Sequence, residues 1–241
     1  GVVISFGGNA LVGGGPEIVI EADESDSSFL KFSPKIAVIT NIEEEHMENF
    51  GTIERVEEAY RNFIRRLPEN GLWVGCAEDA RVSRLAQERL RPFVLYGFTK
   101  TEGIVSASDI VECPSGGPGV SFRVWEGMEL LGEVTMRILG RHNVLNALAA
   151  VAVARKLGIS FEVIAEALGS YRGAARRFDV KYEDAQVLVA DDYAHHPTEI
   201  QKTLAALKGL RRKRIFAVFQ PHLFSLHKHI LDYSESRQPR Q

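Results

Sequence analysis

The sequence predicts an α/β protein in which helices cover the faces of a mostly parallel β-sheet. Two short apolar runs rich in β-branched residues, at positions 18–20 and 36–39, are typical of strands buried on both faces, and each ends in polar residues. Segments with helical spacing alternate with these runs. A later region of frequent turn signals adds a β-rich section.

The helices of the first half are predicted from the spacing of their apolar residues. Apolar side chains recur at intervals of three and four over positions 53–67, and Pro68 and Gly71 end that run. A second amphipathic helix is predicted at positions 79–90. Both helices present one apolar face, as expected for helices packed on a sheet.

The middle of the chain changes from short strands to long helices. Positions 93–139 predict a β-rich excursion with glycine-containing turns. Positions 143–157 then predict a helix that is apolar nearly all round, so we expect it to be buried and to end at Gly158. Ser160 is placed to cap the following helix, which runs to about residue 168.

After Arg177 the alternating pattern starts again and predicts a second domain. A strand at 187–190, a helix from Pro197 to about 210 and a strand at 215–219 read as one βαβ unit. We therefore divide the chain into domains 1–178 and 179–241. A domain normally needs about 100 residues or more, so the second domain is predicted to be incomplete.

Composition excludes several classes of protein. The 241 residues are 45% hydrophobic and 25% charged, with a formal net charge of -3, which excludes a disordered chain and disfavours nucleic acid as a partner. Cys76 and Cys113 form no Cys-x-x-Cys pair, so neither a disulfide framework nor a structural zinc site is indicated. No apolar run reaches the about 18 residues of a membrane span. A cytoplasmic protein without a membrane partner is expected, and the absence of an initiating Met predicts that the chain begins inside a larger protein.

Polar clusters follow four of the predicted strands directly. They occupy positions 21–26, 40–46, 191–197 and 220–222. In open α/β sheets, ligands bind outside the carboxyl ends of the strands. This shared placement predicts one convergent cleft.

The first two clusters contain candidate metal ligands. Glu21 and His46 offer an oxygen and a nitrogen to a phosphate-bound Mg²⁺, which usually takes only one or two protein ligands. A solvated acidic loop is the alternative, and it is preferred for residues 43–45. For Glu21, inside an apolar strand, the metal role is preferred because burying an unpaired carboxylate is costly.

The third cluster, with Asp191, Asp192, His195 and His196, admits a metal-dependent hydrolase as an alternative. Adjacent residues in an extended segment point in opposite directions, so two histidines on one ion are not expected. One histidine of the pair is interpreted as structural.

Two further segments are candidates for binding anions or polar ligands. Residues 140–146 open the buried helix, where free N–H groups and the positive dipole end favour such a ligand. Asn143 as a simple helix cap is the alternative. Arg172, Arg176 and Arg177 either hold phosphate or carboxylate groups or are ordinary surface charge.

Taken in order, these segments resemble the Mur ligase family. The strings Glu-Ala-Asp-Glu-Ser-Asp-x-Ser-Phe and Asp-Asp-Tyr-x-His-His-Pro-Thr-Glu carry the resemblance, which runs from residue 1 to about residue 225. It implies that residues 1–178 are the back part of a central ATPase domain. The remainder is then the start of a Rossmann-like C-terminal domain.

The resemblance also implies ligands and residue roles. The implied reaction joins L-alanine to UDP-N-acetylmuramate through an acyl phosphate, with ATP and Mg²⁺, in peptidoglycan precursor synthesis. The oligomeric state is left open. The implied roles are Mg²⁺ binding by His46 and by Glu21, with Asp23 and Glu24 as alternatives to Glu21, adenine contact by His142, Asn143 and Asn146, γ-phosphate contact by Arg177, ribose contact by Asp192, and contact with the muramoyl and amino-acid groups by Tyr193, His195 and His222.

The chemistry of such a site assigns roles to the catalytic candidates. In the first step two anions must meet, so a cation such as Arg177 and the metal offset their repulsion. The second step needs a deprotonated amine, for which His195 or His222 is a proton acceptor by residue type.

Three departures from the family pattern stand out. No Gly-Lys-Thr or Gly-Lys-Ser phosphate loop occurs in the chain. Leu223 and Leu226 stand where the family shows arginines that hold the alanine carboxylate, and from about residue 226 the tail follows no family pattern, as in a truncated or frame-shifted end. Glu45 and Glu48 replace the usual aspartates.

Other functions therefore remain open. The leucines admit another peptidoglycan amino-acid or peptide ligase. The missing phosphate loop admits a catalytically inactive nucleotide-binding fragment, and the metal-dependent hydrolase is the remaining alternative.

Overall fold

The larger part of the molecule is a six-stranded sheet. The structure is a computed structural model and describes residues 2–45, 47–112, 118–210 and 212–220. The sheet has the strand order β1-β2-β3-β4-β5-β6, in which β1 to β4 are parallel and β5 and β6 are antiparallel to their neighbours. The strands are β1 (Ile36–Ile39), β2 (Leu72–Cys76), β3 (Phe93–Gly97), β4 (Ile104–Glu112), β5 (Val120–Glu126) and β6 (Glu129–Met136).

Helices cover both faces of this sheet, as the sequence predicts. One face packs against α2 and α3 around a core that includes Phe63, Ile64 and Trp73. The other packs against α4 and α5 around Phe122 and Leu148. The helices are α1 (Met47–Phe50), α2 (Ile53–Arg65), α3 (Ala80–Gln87), α4 (Arg141–Lys156) and α5 (Phe161–Ser170), with short 3₁₀ turns at Ile4–Phe6 and Ser28–Lys31.

Local sequence signals explain where these helices begin. The Thr52 side chain accepts from the Arg55 N–H at the start of α2, and the Asp79 carboxylate accepts from the N–H groups of Arg81 and Val82 at the start of α3. Ser160 occupies the N-cap position of α5, but its side chain makes no capping hydrogen bond there.

The buried helix predicted at 143–157 is confirmed as α4. Val144, Leu148 and Val151 are fully buried in it. The apolar residues around most of its circumference contact β2, β3, β4 and α5, so the helix is enclosed between the sheet and α5.

The C-terminal part forms a separate two-stranded sheet followed by a helix. Strands β7 (Asp179–Glu183) and β8 (Leu188–Asp191) are antiparallel, and α6 (Pro197–Gly209) follows. The Asp184 carboxylate accepts from the N–H groups of Gln186 and Val187 and so stabilises the turn between the strands. Strand β7 escaped prediction, although its residues 179–183 alternate between charged and apolar or aromatic side chains.

Two predicted strands are wrong. Residues 18–20 and 215–219 lie in no strand, and Val19 and Val218 are 97% and 99% exposed. A short apolar run becomes a strand only where a neighbouring strand completes its hydrogen bonds. Among the described residues β1 pairs only with β2, and β8 pairs only with β7, so the predicted βαβ unit is replaced by a hairpin and a helix.

Two further points concern membrane-spanning helices and the cysteines. None of the helices in the described part of the chain is long and apolar enough to cross a membrane. Cys76 is buried and free, whereas Cys113 lies outside the described residues.

Candidate functional site

A cleft of about 330 Å³ lies between the start of α4, the segment 171–178 and one face of α6. Thr40 and Asn41, directly after the carboxyl end of β1, close one side. The cleft is thus at the edge of the parallel strands where ligands of α/β proteins bind. It is lined by all the predicted nucleotide-contact residues: His142, Asn143, Asn146, Arg177 and Asp192.

The backbone at Gly140 makes room for the histidine that follows. Its φ is +95°, and a Cβ there would lie 2.6 Å from His142 Cε1 and 3.2 Å from the Ala206 Cβ of α6. Only glycine combines this backbone conformation with such a close approach. Gly140 therefore sets how the His142 ring enters the cleft.

The two asparagines of α4 form a short hydrogen-bonded row. Asn143 Nδ2 donates to the Leu139 carbonyl at 2.7 Å, and Asn146 Nδ2 donates to Asn143 Oδ1 at 3.2 Å. Gly140, not Asn143, occupies the N-cap position, so the interpretation of Asn143 as a simple helix cap is wrong. The amide donates to a carbonyl before the helix, which leaves the row facing the cleft.

The charge state of His142 follows from its surroundings. Burial lowers the pKa of the imidazole, and the positive charges of Lys202 and Arg177 lower it further, while Asp192 opposes them. A neutral ring at pH 7 follows, since the ordinary histidine pKa of 6.5 is already below that pH.

Arg177 is held at the cleft by a strained segment. Its neighbours Arg176 and Phe178 have φ values of +61° and +50°, which non-glycine residues adopt at a cost of about 1–3 kcal/mol each. Arg177 Nη1 lies 3.1 Å from Glu199 Oε1, and the arginine side chain is 52% exposed. The guanidinium is therefore positioned by an ion pair yet open to a ligand.

Asp192 compensates part of that strain. Its Oδ2 accepts from the Phe178 N–H at 3.0 Å and from the Thr203 hydroxyl at 3.2 Å. Oδ1 accepts from the Ala194 N–H at 2.7 Å. The carboxylate thus joins the strained segment, the end of β8 and α6, in addition to forming part of the cleft wall.

Glu199 links the arginine to the start of α6. Oε2 accepts from the backbone N–H of His195 at 3.1 Å, and the carboxylate completes a capping box with His196. Burial acts to raise the Glu199 pKa, but the hydrogen bonds from His195 and Arg177 outweigh it, so the pKa lies below its ordinary value. The group is ionised when Arg177 pairs with it.

A second, acidic chamber of about 230 Å³ adjoins the cleft and shares Thr40, Asn41, Glu199 and Lys202 with it. It is also lined by three carboxylates: Glu24, Glu43 and Glu45. Burial raises the pKa of Glu45, His196 opposes the shift, and the charges of Glu199, Glu43 and Glu24 add to it.

The acidic chamber corrects the interpretation of residues 43–45 as a solvated loop. The Glu43 and Glu45 side chains are only 22% and 35% exposed, whereas that of Glu44 is 63% exposed and pairs with Arg81. The residue types do not separate these three positions. Their burial depends on α6, which is distant in sequence.

Of the two predicted Mg²⁺ ligands, the structure describes only Glu21. Glu21 is exposed and lines neither chamber, because the strand predicted to bury it does not form. His46 lies outside the described residues. Glu24, three positions after Glu21, is the carboxylate of that loop that reaches the acidic chamber.

Tyr193, His195 and His196 follow Asp192 in the chain, and the adjacent side chains of His195 and His196 point in different directions. The rings of Tyr193 and His195 meet edge to face at 5.1 Å, outside the cleft lining. His195 Nδ1 lies 2.9 Å from the Tyr193 carbonyl, while His196 Nδ1 faces Glu43 and Glu45. This divergence is the one expected for adjacent residues. His222, Leu223 and Leu226 lie outside the described residues.

Three polar cleft residues on α6 were not predicted: Glu199, Lys202 and Thr203. They are spaced by three and four positions and so share one helix face. Glu199 also stands three residues after the helix cap, where a capping-box acid is expected. That spacing was the signal available in the sequence.

A groove of about 370 Å³ lies elsewhere, at the turns before β4 and between β5 and β6, and includes Lys156. None of the predicted site residues lines it. It therefore serves as a comparison surface for binding experiments.

Comparison with known protein families gives two matches along the chain. The family described as the Mur ligase middle domain matches residues 15–154, and the family described as the Mur ligase glutamate ligase domain matches residues 176–237. A UDP-N-acetylmuramate–L-alanine ligase of Syntrophotalea carbinolica is 43% identical over 229 residues. That alignment covers 95% of this chain and 49% of the relative, so the chain spans about half the length of the curated relatives it matches.

Solved structures give the same result. A UDP-N-acetylmuramate–alanine ligase from Thermotoga maritima superposes with a TM-score of 0.71 and 30% identity, covering 89% of this chain and 52% of that one. The MurF ligase from Thermotoga maritima, solved in complex with ADP, superposes with a TM-score of 0.63 and 26% identity, covering 76% of this chain and 41% of that one.

Proposed function

The chain belongs to the Mur ligase family, and on that premise we propose that it serves an ATP-dependent ligase that joins L-alanine to UDP-N-acetylmuramate. The reaction passes through an acyl phosphate and forms an amide bond in peptidoglycan precursor synthesis. Relatives that match nearly the whole chain carry that activity in their names. A cytoplasmic location goes with the proposal, because its substrates are small soluble molecules.

One observation carries the proposal. Five residues predicted to contact a nucleotide come from α4, from the segment before β7 and from the end of β8, and all line one cleft. Their separation in sequence makes this convergence a property of the fold. The cleft volume of about 330 Å³ falls within the range of small-molecule sites.

The residues present fit the adenosine part of ATP. The row formed by Asn143 and Asn146 offers amide donors and acceptors, and neutral His142 offers a flat ring beside it. Asp192, although its oxygens already accept internal hydrogen bonds, retains acceptor capacity for a ribose hydroxyl, because an ionised carboxylate has about four lone-pair sites.

The residues of the acidic chamber fit Mg²⁺. The ion takes oxygen ligands and keeps several waters, and Glu24, Thr40 and Asn41 supply oxygens there. We propose Glu24 as the loop carboxylate that takes the role predicted for Glu21, and His46 remains the second proposed ligand. Bound Mg²⁺ would offset the negative charge of the phosphates.

Arg177 is proposed to stabilise the phosphoryl group during its transfer. ATP supplies the phosphoryl group that activates the lactyl carboxylate. Arg177 reaches the cleft from a strained segment and is held by Glu199, so its guanidinium is positioned before the ligand arrives. A preorganised cation stabilises developing charge without reorganisation at the moment of reaction.

His195 is proposed to accept the proton of the alanine amine. A carbonyl oxygen only accepts hydrogen bonds, so the contact of Nδ1 with the Tyr193 carbonyl places the proton on Nδ1 and leaves Nε2 as an acceptor. Tyr193 packs against the His195 ring and orients it. His222 keeps its proposed role toward the substrate.

The alternative with a specific observation behind it is a ligase for a different amino acid. Leu223 and Leu226 stand where carboxylate-binding arginines are expected by the family resemblance. A leucine side chain forms no hydrogen bond with a carboxylate. A panel of amino acids therefore belongs in the test.

The experiment joins this chain to the segments of the Syntrophotalea carbinolica relative that lie outside their alignment, and it measures amide product by mass spectrometry. We expect product only when ATP, Mg²⁺, UDP-N-acetylmuramate and L-alanine are all present. Product with another amino acid alone would establish the alternative. Nucleotide binding without any product would indicate an inactive nucleotide-binding fragment.

Arg177→Ala in that chimera tests the catalytic proposal. We expect kcat to fall by about 100-fold or more, because a preorganised charge at the transferring group is removed. Arg172→Ala, which removes an arginine five positions earlier in the same segment, is the matched control. Equal rates for the two variants would contradict the role of Arg177.

A further inference from the structure

Three side chains at the acidic chamber bring their ligand atoms together: Glu43 and Glu45, which line it, and His196, which faces them. Each offers one ligand atom, and all three atoms lie within 4.8 Å of one another. His196 Nδ1 is 3.6 Å from Glu43 Oε2 and 3.9 Å from Glu45 Oε1. Ligand atoms around one ion with bonds of about 2.0–2.2 Å stand roughly 3.4 Å apart in a tetrahedron, so small side-chain shifts complete the set.

A cation between the three side chains is favoured, because two carboxylate oxygens and an imidazole nitrogen face one another. The Thr198 N–H donates to His196 Nδ1 at 3.4 Å, a long hydrogen bond that an ion bound to Nδ1 would replace. The Lys202 ammonium lies 3.9 Å from Glu43 Oε1, the oxygen that does not face His196. Burial leaves the three side chains only 22–35% exposed, and water therefore screens the facing charges less than at an open surface.

The two parts of the cluster come from different units of the fold. Glu43 and Glu45 follow β1 of the six-stranded sheet, whereas His196 caps α6 behind the two-stranded sheet. An ion bound by all three would connect the loop after β1 to the start of α6. These are the elements on either side of the acidic chamber.

We infer that Glu43, Glu45 and His196 bind a divalent transition-metal ion of the Zn²⁺ class, which fastens α6 to the loop after β1. An imidazole with two carboxylates is a ligand set that suits Zn²⁺. Water completes the coordination. The site uses different residues from the proposed Mg²⁺ site at Glu24 and His46, and it does not depend on the proposed ligase activity.

The test uses the chain itself, stripped of metal with a chelator and titrated with Zn²⁺ in excess Mg²⁺. We expect one Zn²⁺ per chain by equilibrium dialysis and elemental analysis, and a higher thermal unfolding temperature with the ion bound. Co²⁺ in place of Zn²⁺ reports nitrogen and oxygen ligation by its visible absorption.

Four variants locate the ion. Glu45→Gln and His196→Ala each weaken Zn²⁺ binding by about tenfold or more. Two control variants are expected to leave Zn²⁺ binding unchanged. Glu44→Gln removes the same charge from the same loop, and His46→Ala removes an imidazole next to Glu45. Glu45→Gln keeps the His196 helix cap, so its result holds even where His196→Ala loses stability, which circular dichroism reveals.

Three outcomes overturn the inference. In the first, the chain binds no Zn²⁺ in the presence of Mg²⁺. In the second, Zn²⁺ binding is unchanged in Glu45→Gln and His196→Ala. In the third, Zn²⁺ binding is lost in His46→Ala and kept in His196→Ala, which would place the ion at the proposed Mg²⁺ site.

Discussion

At the scale of single residues, His142 links the cleft to pH. Burial and the neighbouring cations hold its pKa below the ordinary value of 6.5 in the folded protein. Between the unfolded and the folded pKa the unfolded state binds more protons, so the free energy of unfolding rises with pH in that window. The contribution of His142 to the free energy of unfolding is present above about pH 6.5, and it is lost as the pH falls through the pKa of the folded state.

His142→Gln removes this contribution. We expect its free energy of unfolding, measured by urea denaturation, to depend less on pH between about 7 and 5 than that of the parent chain. The two curves are compared as a difference, because other histidines titrate in both proteins. Parallel curves would show that His142 keeps its ordinary pKa.

Some residues of the site could be predicted from the sequence, and others could not. The polar residues of α4 and β8 that line the cleft stand at element boundaries, where a polar side chain in an apolar pattern is conspicuous. Glu43 and Glu45 have the same residue type as their solvated neighbour Glu44, and only packing against α6 separates them. Burial of that kind depends on tertiary contacts, which a local pattern does not contain.

At the scale of elements, Gly140 controls the entry to α4. Gly140→Ala places a Cβ 2.6 Å from His142 Cε1 at a φ of +95°. We expect a loss of about 2–3 kcal/mol in the free energy of unfolding, from backbone strain and displacement of the ring.

Gly158→Ala is the matched control for that variant. Gly158 also has a positive φ, +79°, but nothing lies within 4 Å of its Cβ position. It should cost only about 1 kcal/mol from the backbone alone. Equal losses in the two variants, measured by urea denaturation, would exclude crowding of His142.

Arg91 joins the ends of α2 and α3. Its guanidinium donates to the carbonyls of Leu67 at 2.9 Å, Leu90 at 2.9 Å and Arg65 at 3.0 Å. Carbonyls at helix ends lack intrahelical donors. The side chain therefore satisfies acceptors that would otherwise depend on water.

Arg91→Ala should lower the free energy of unfolding by about 1–3 kcal/mol, because hydrogen bonds to a charged donor are lost. Arg91→Lys keeps the charge without the planar fork and should recover only part of the loss. Chemical denaturation of the two variants decides this. Full recovery by lysine would show that charge alone matters.

Helix predictions with a long apolar pattern were confirmed, whereas short apolar runs divided: 36–39 forms β1, but 18–20 and 215–219 form no strand. The helices at 53–65 and 141–156 repeat their apolar spacing over three or more turns, and the structure confirms both. The runs at 18–20 and 215–219 have three and five residues, and their strand identity depends on a partner strand. The hairpin of β7 and β8 arises from the Asp184 turn, which sequence reasoning did not weigh.

At the scale of the whole molecule, the cleft exists because α4 and α6 face each other across it. Arg177, Asp192 and Glu199 hold the segment before β7 against α6. The fold class was predictable from the alternation of strand and helix patterns. The polar clusters after β1 and β8 do meet at the cleft, but β8 belongs to a separate antiparallel pair, so parallel strands alone do not explain the meeting. The acidic chamber could not be predicted, because its walls come from elements about 150 residues apart in the chain.

The central claim is that this cleft holds the adenosine part of a nucleotide, and the most direct measurement is NMR titration of the isotopically labelled chain with ADP. We predict saturable shifts at His142, Asn146 and Asp192 that are weakened by Asn146→Ala and unchanged by Lys156→Ala, a residue of the groove away from the cleft. Shifts confined to the groove around Lys156, or saturable shifts unaffected by Asn146→Ala, would contradict the account.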